Sequence, residues 1–186
     1  LDPVGNAPQY LALPDATVAS VFPSGDRTVL AVLKSIGDGS FREQVVNGAD
    51  FQMALTGPGD HGRDSQVRYA VSGGRGVVYG NRDIRDQWAV ISVTEDSVGA
   101  NVDLNGSRVG GPVPLADPTA LGTDAIVGAR RVSGFDAIGQ REVRSVDELF
   151  QGYMGELLVF NRALSSAEQL RIQYAWLSKW FGWVLM

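Results

Sequence analysis

Residues 150–168 read FQGYMGELLVFNRALSSAE, and the order of signals within them decides the fold. Tyr153 to Phe160 alternates as a half-buried strand, with Met154, Glu156, Leu158 and Phe160 on one face and Gly155, Leu157 and Val159 on the other. Asn161 and Arg162 end it. Ser165 and Glu168 then stand in capping-box relation: the serine hydroxyl accepts from the Glu168 amide and the glutamate reaches back to the Ser165 amide. A strand, a tight polar turn and a capped helix start follow one another within nineteen residues.

The helix this cap predicts runs over about 166–181. Leu170, Tyr174, Leu177 and Phe181 recur at spacings of three or four, Ile172, Trp176 and Trp180 form an adjoining stripe, and Gly182 ends it. So aromatic a helix is expected to bury the Ile172, Trp176, Trp180 stripe at least in part, either by capping an edge of the domain's own sheet or by docking on a neighbouring subunit. Upstream the chain gives strand after strand. Tyr10 to Leu13, Thr17 to Val21, Arg27 to Ser35, Phe51 to Leu55, Gln66 to Val71, Trp88 to Thr94, Val98 to Leu104, Ser107 to Val109 and Ala125 to Ala129 all carry the pattern. Asn105 and Gly106 form the dipeptide preferred in a type I′ hairpin turn, since both tolerate positive φ. There is no βαβ alternation, repeat or heptad. The fold class expected is all-β, a two-sheet antiparallel sandwich with one C-terminal helix.

Several segments also share a family pattern. The run from Gly152 to Glu168 resembles the G-x-(I/M)-x-E-hydrophobic-(Y/F)-N-R-A-L-S-x-x-E close of the laminin-G/concanavalin-A-like jelly-roll superfamily. QWAVISVT (87–94), VDLNG (102–106), IVGAR (126–130) and the terminal YAWLSKW (174–180) resemble further stretches of that superfamily, the last in its bacterial and phage members. The resemblance covers about Trp88 to Gly182 and implies a jelly roll. It places residues 10–186 in one laminin-G/concanavalin-A-like domain, with 1–9 as a linker or N-terminal extension. The chain opens at Leu1 without a signal peptide, so it reads as a processed product or a segment of a longer protein.

Composition agrees. Glycine supplies 23 of the 186 residues, with eight prolines, which suits short strands joined by tight turns. A formal net charge of −5 argues against a nucleic-acid partner or an anionic membrane surface. No run approaches the roughly 18 apolar residues of a membrane helix, so no membrane insertion is expected. With one histidine and no cysteine, a disulfide and a His/Cys zinc site are excluded by count.

Enzyme chemistry finds no support. Retaining hydrolases of this jelly roll carry E-x-D-x-x-E on one strand, since residues two apart share a face. No such triplet exists here: Asp96 and Asp103 lack the spacing, and Asp147 and Glu148 are adjacent. His61 has no G-x-S-x-G partner. The glycine-rich segments 72–76 and 110–112 lack G-K-(S/T) and read as turns, and 82–86 reads as a charged solvated loop. No cofactor is required. The resemblance allows Ca²⁺ at the sandwich rim, with Asp60, Asp64, Asp83, Asp86, Asp117 and Asp124 as oxygen donors.

What the resemblance and the missing catalytic groups imply is a non-catalytic carbohydrate- or ligand-binding module of an extracellular, cell-surface or virion protein. The alternative is a structural or assembly component of a phage-like particle, with the C-terminal helix in a homo-oligomer or larger contact. Sugar binding needs an aromatic to stack on, and Phe41, Tyr69, Tyr79 and Phe135 are candidates, although core packing competes for each. The sheets' inner faces are apolar, so ligand contacts are expected from loops at one rim: Asp60, His61, Arg63 and Asp64, and Arg130, Arg131, Asp136 and Arg141 with Arg144. Arginine forks favour an acidic polysaccharide as the glycan.

Overall fold

The computed structural model describes residues 11–13, 26–37, 42–48, 51–57, 65–71, 76–114, 125–135 and 142–182, with the side chains of 13, 130–135 and 142–147 left aside. Thirteen strands and one helix lie among the described residues: β1 (Leu11–Leu13), β2 (Arg27–Ser35), β3 (Glu43–Asn47), β4 (Phe51–Leu55), β5 (Val67–Val71), β6 (Val77–Tyr79), β7 (Trp88–Asp96), β8 (Gly99–Leu104), β9 (Ser107–Val113), β10 (Ala125–Val127), β11 (Arg130–Phe135), β12 (Glu142–Asp147), β13 (Gly152–Phe160) and α1 (Ser166–Phe181). They build a six-stranded sheet, β1-β10-β3-β4-β5-β6, a five-stranded sheet, β13-β2-β7-β8-β9, and the β11-β12 hairpin, with antiparallel pairing throughout. The expected sandwich is the observed one.

The main core lies between the sheets. Val29, Ala31 and Leu33 of β2 and Ala89, Ile91 and Val93 of β7 meet Phe51, Met53 and Leu55 of β4 and Val67, Tyr69 and Val71 of β5. A second core lies on the other side of the five-stranded sheet, where Leu30, Val32 and Val90 pack against Leu164, Trp176 and Leu177. This explains why RTVLAVLKS is buried at nearly every position: β2 meets a sheet on one face and a helix on the other. The helix therefore covers the outer face of its own sheet, over the two central strands, rather than capping a sheet edge. The expected stripe is buried in part, Trp176 within the second core and Ile172 packed against it, and two glutamines extend the buried face. Gln169, Gln173, Trp176 and Leu177 are buried, while Tyr174 and Trp180 remain exposed. The glutamines hold the helix by hydrogen bonds: Ser92 Oγ donates to Gln169 Oε1 at 2.9 Å, and the Gly106 amide donates to Gln173 Oε1 at 2.7 Å.

Both ends of α1 follow the sequence. Ser165 accepts from the Glu168 amide, Glu168 Oε2 accepts from the Ser165 amide at 2.9 Å, and Gly182 closes the helix in the left-handed region at φ 67°. Arg162 adds a bidentate pair to Glu168, and this guanidinium, with the Ser165 hydrogen bonds, holds the Glu168 carboxyl down at about 2 from 4.5. Ser165→Ala should lower stability by about 0.5–2 kcal/mol in urea titration. Because the Glu168 value is depressed on folding, its favourable contribution is complete above 4.5 and disappears as pH falls through about 2. The wild-type midpoint should therefore fall more steeply across that window than that of Glu168→Gln.

Local irregularities account for the remaining differences. A register shift between Met154 and Glu156 breaks the alternation of β13, so Met154 packs against the main core while Glu156 lies on the helix side. Gly110, Gly111 and Pro112, expected as a turn, lie inside β9; a Cβ on Gly110 would stand 2.1 Å from the Tyr79 carbonyl oxygen, so only glycine admits β6 this close. Asn105 and Gly106 do form the expected hairpin turn, at φ 49° and 83°. β3, β6, β11 and β12 were not expected, and the candidate strand at 17–21 lies outside the described residues.

Candidate functional site

Most of the loop residues expected to meet a ligand, Asp60, His61, Arg63, Asp64, Asp136 and Arg141, lie outside the described residues. Arg130 and Arg131 are strand rather than loop positions, paired with Asp147 and Val146, and Arg144 pairs with Ser133. Of the expected stacking aromatics, Tyr69 is fully buried, with its hydroxyl donating to Glu95, and Tyr79 is half-buried. Phe41 and the Phe135 side chain lie outside the described residues. Of the expected calcium donors, Asp83 is engaged by Arg85, whose hydrogen bonds hold its carboxyl below the usual range, and Asp86 is exposed. The other four donors, Asp60, Asp64, Asp117 and Asp124, are outside the described residues, among which no group of three His, Cys, Asp or Glu is placed to hold a metal.

What the fold does assemble is a group of aromatics on the outer face of the five-stranded sheet. Tyr153, Lys34 and Trp88 stand in one register row across β13, β2 and β7. Trp88 and Tyr153 are two strands apart, roughly 9–10 Å at the backbone, yet their ring centroids are 6.3 Å apart, so the rings lean together over the Lys34 row. Trp180, near the C-terminal end of α1, stacks on Trp88 with centroids 5.8 Å apart and planes 23° apart. Their exposures are 37% for Trp88, 42% for Tyr153 and 38% for Trp180. Large apolar side chains grouped this openly are uncommon on a monomer surface.

Two features fix the group. Gly155 lies under the Trp180 ring, where a Cβ would come within 2.8 Å of the indole. Glu156, next in the chain, accepts from Trp180 Nε1 at 2.7 Å and from Lys179 Nζ at 2.6 Å. Those donors, Lys179 first, hold its carboxyl below the usual range. Lys179 also lies 5.4 Å from the Trp180 ring, a cation–π distance. The indole is thus clamped edge-on by a carboxylate, over Gly155 and against Trp88, and keeps 38% of its surface exposed. This is the chemistry that orients an amphipathic ring ligand: apolar C–H groups against a π face and polar groups at the margin.

Two other places are less open. On the outer face of the six-stranded sheet, Gln44, Arg68 and Tyr79 share a register row, and Gln44 Oε1 and Arg68 Nε lack hydrogen-bond partners among the described residues. Gln44 is entirely buried, however, with its amide donating to Glu148. A cleft of about 210 Å³ lies between the β8-β9 turn and the start of α1, lined by Asp103, Arg108, Ser166, Gln169 and Gln173. Its polar groups are largely engaged with one another: Arg108 with Asp103 at 2.8 Å, Gln169 with Ser92, and Gln173 with the Gly106 amide.

Sequence reasoning missed the aromatic group because each member had another explanation: Trp88 as a strand residue, Trp180 as a helix stripe. The detectable signal was Trp88 and Tyr153 at the start of two strands that both border β2.

No protein-family model matches the chain. No curated protein matches it either. Solved structures do. A candidate carbohydrate-binding protein from Bacteroides ovatus aligns with TM-score 0.59 at 16% identity over 79% of this chain and 40% of its own. Domains LG4-5 of the mouse laminin α1 chain align with TM-score 0.57 at 13% identity over 86% and 41%. Botulinum neurotoxin type C, from a study of its entry through two ganglioside molecules, aligns with TM-score 0.59 at 7% identity over 89% and 39%. The chain spans about two-fifths of each of these proteins. At these identities the likeness speaks to the fold alone, a two-sheet antiparallel jelly roll.

Proposed function

We propose that this domain is a non-catalytic glycan-binding module of a surface, secreted or virion protein, and that it stacks a sugar ring on Trp88, Tyr153 and Trp180. The observation that carries the reading is the exposed, clamped aromatic group: its rings are open to solvent and one indole is held in place by Gly155 and Glu156. Two fold neighbours are named for carbohydrate or ganglioside interaction, which supports the ligand class. Asp64 and the β11 residue Arg131 would supply further polar contacts. The assembly alternative would use the same aromatics in a subunit contact, although Trp176 and Leu177 are already buried within the chain.

A glycan array and affinity electrophoresis on wild type, Trp180→Ala, Gly155→Ala, Arg131→Ala and Asp64→Ala test this. Trp180→Ala should weaken binding at least tenfold, about 1.4 kcal/mol or more. Gly155→Ala should act in the same direction by displacing the indole, since its Cβ has no room beneath it. Binding that survives both but falls in Arg131→Ala or Asp64→Ala would move the site to the rim. A stable oligomer dissociated by Trp180→Ala, with no glycan bound, would favour the assembly reading.

A further inference from the structure

We propose that Lys34 makes the aromatic surface selective for anionic sugars, pyranose units bearing a carboxylate or a sulfate at the ring edge; this rests on the stacking reading above. Lys34 is the middle position of the Tyr153–Lys34–Trp88 row and is half-buried between two exposed aromatics. Charges near the rings include Asp86, whose amide donates to the Ser35 carbonyl beside Lys34, and Lys34, Lys179 and Glu156. The last two neutralise each other at 2.6 Å. Among the described residues Lys34 has neither an ion-pair nor a cation–π partner, so its ammonium is an unpaired cation in the row.

A lysine in this setting has a plain structural use, its methylene stem filling the space beneath the rings. That use does not need the ammonium, and burying part of a charged side chain without a partner is unfavourable. A ring stacked on Trp88 or Trp180 brings its edge substituents to the margin of the row, within reach of the ammonium. There a charge-assisted hydrogen bond is stronger than a neutral one. The whole chain carries −5, so an anionic polysaccharide is repelled by the molecule at large and attracted only locally. Selectivity of this origin acts over about one Debye length, roughly 10 Å in 0.1 M salt. A lysine is a compact point charge without the planar fork of arginine, so it accepts carboxylate and sulfate alike.

The test uses two matched pairs of probes, polygalacturonate with its carboxyl-reduced form and a sulfated galactan with its desulfated form. For wild type the charged member of a pair should bind about five- to tenfold more tightly at low salt, with the advantage shrinking at high salt. An advantage in one pair only names the group recognised. Lys34→Met keeps the apolar stem and should abolish the advantage, and Lys34→Arg should restore it. Arg171→Gln, an exposed helix cation away from the row, controls for net charge and should change nothing. An advantage that persists in Lys34→Met overturns the proposal. Equal binding of charged and neutral members, lost in Trp180→Ala, overturns it and leaves the stacking reading standing. If none of the four probes and no glycan on the array binds, the stacking reading falls and this proposal with it.

Discussion

Trp176→Ala is expected to lower stability by about 3–5 kcal/mol, the range for removing a large buried aromatic. In a domain of this size that corresponds to a fall of roughly 6–20 °C in Tm. Trp176 is only 6% exposed and, with Leu177 and Leu164, closes the second core over Leu30, Val32 and Val90. Its loss would open a cavity between helix and sheet and leave β2 and β7 with an apolar outer face. Trp180, one turn on, stacks on Trp88 at the margin, and its replacement by alanine should cost only about 1 kcal/mol. The pair separates the two uses of tryptophan on one helix: the first change should affect folding, the second binding. Urea titration followed by far-ultraviolet circular dichroism checks the first. A Trp176→Ala midpoint no lower than that of Trp180→Ala would show that α1 does not rest on the sheet.

The legible parts of this fold were those whose cause is local. Alternation or apolar continuity marked β2, β7, β8 and β13, positive φ marked the Asn105-Gly106 turn, and reciprocal hydrogen bonding marked the start of α1. The helix's seat had a sequence trace as well, since the centre of β2, Val29 to Leu33, is apolar on both faces, which a sheet open to water on one side would not be. What stayed hidden depended on partners distant in the chain. Gln169 and Gln173 look like solvated helix residues until Ser92 and Gly106 are brought beneath them. Gly110 looks like a turn residue until Tyr79 approaches it.

The candidate site was hidden for the same reason, and one residue shows how. Gly155 breaks no pattern in sequence, yet it sits at the register shift that turns Glu156 toward the helix and vacates the space the Trp180 ring occupies. A strand irregularity thereby sets both the clamp and the flat approach of the indole. The rim residues Asp60, His61, Arg63 and Asp64 stand out in the sequence by polarity, while the aromatic surface is assembled from strand ends and a helix terminus. Polarity in loops is easily read from sequence; convergence of aromatics from separate strands is not.

Arg27→Met is expected to cost about 3–5 kcal/mol, the loss that follows when one partner of a buried ion pair is removed. Arg27 and Glu95 are cross-strand neighbours on β2 and β7, facing the main core at 1% and 5% exposure, with Arg27 Nε 3.0 Å from Glu95 Oε2. The opposite sheet completes the arrangement. The Arg27 guanidinium lies 4.7 Å from the Phe51 ring centroid, and the Tyr69 hydroxyl donates to Glu95 Oε2 at 2.5 Å. The pair therefore bridges the two layers where the core runs out of apolar side chains. Methionine replaces the stem and removes the cation facing a carboxylate that water does not reach, so that much of the cost is desolvation left uncompensated. It follows that Arg27→Met/Glu95→Leu should recover part of the loss, because an apolar pair of similar volume removes both charges together while the Tyr69 hydroxyl loses its acceptor. A double-mutant cycle by urea denaturation measures this, with a favourable coupling of at least about 2 kcal/mol expected between the two positions. If the single substitution costs less than about 1 kcal/mol, the pair is hydrated in solution and the two layers are held by apolar packing alone.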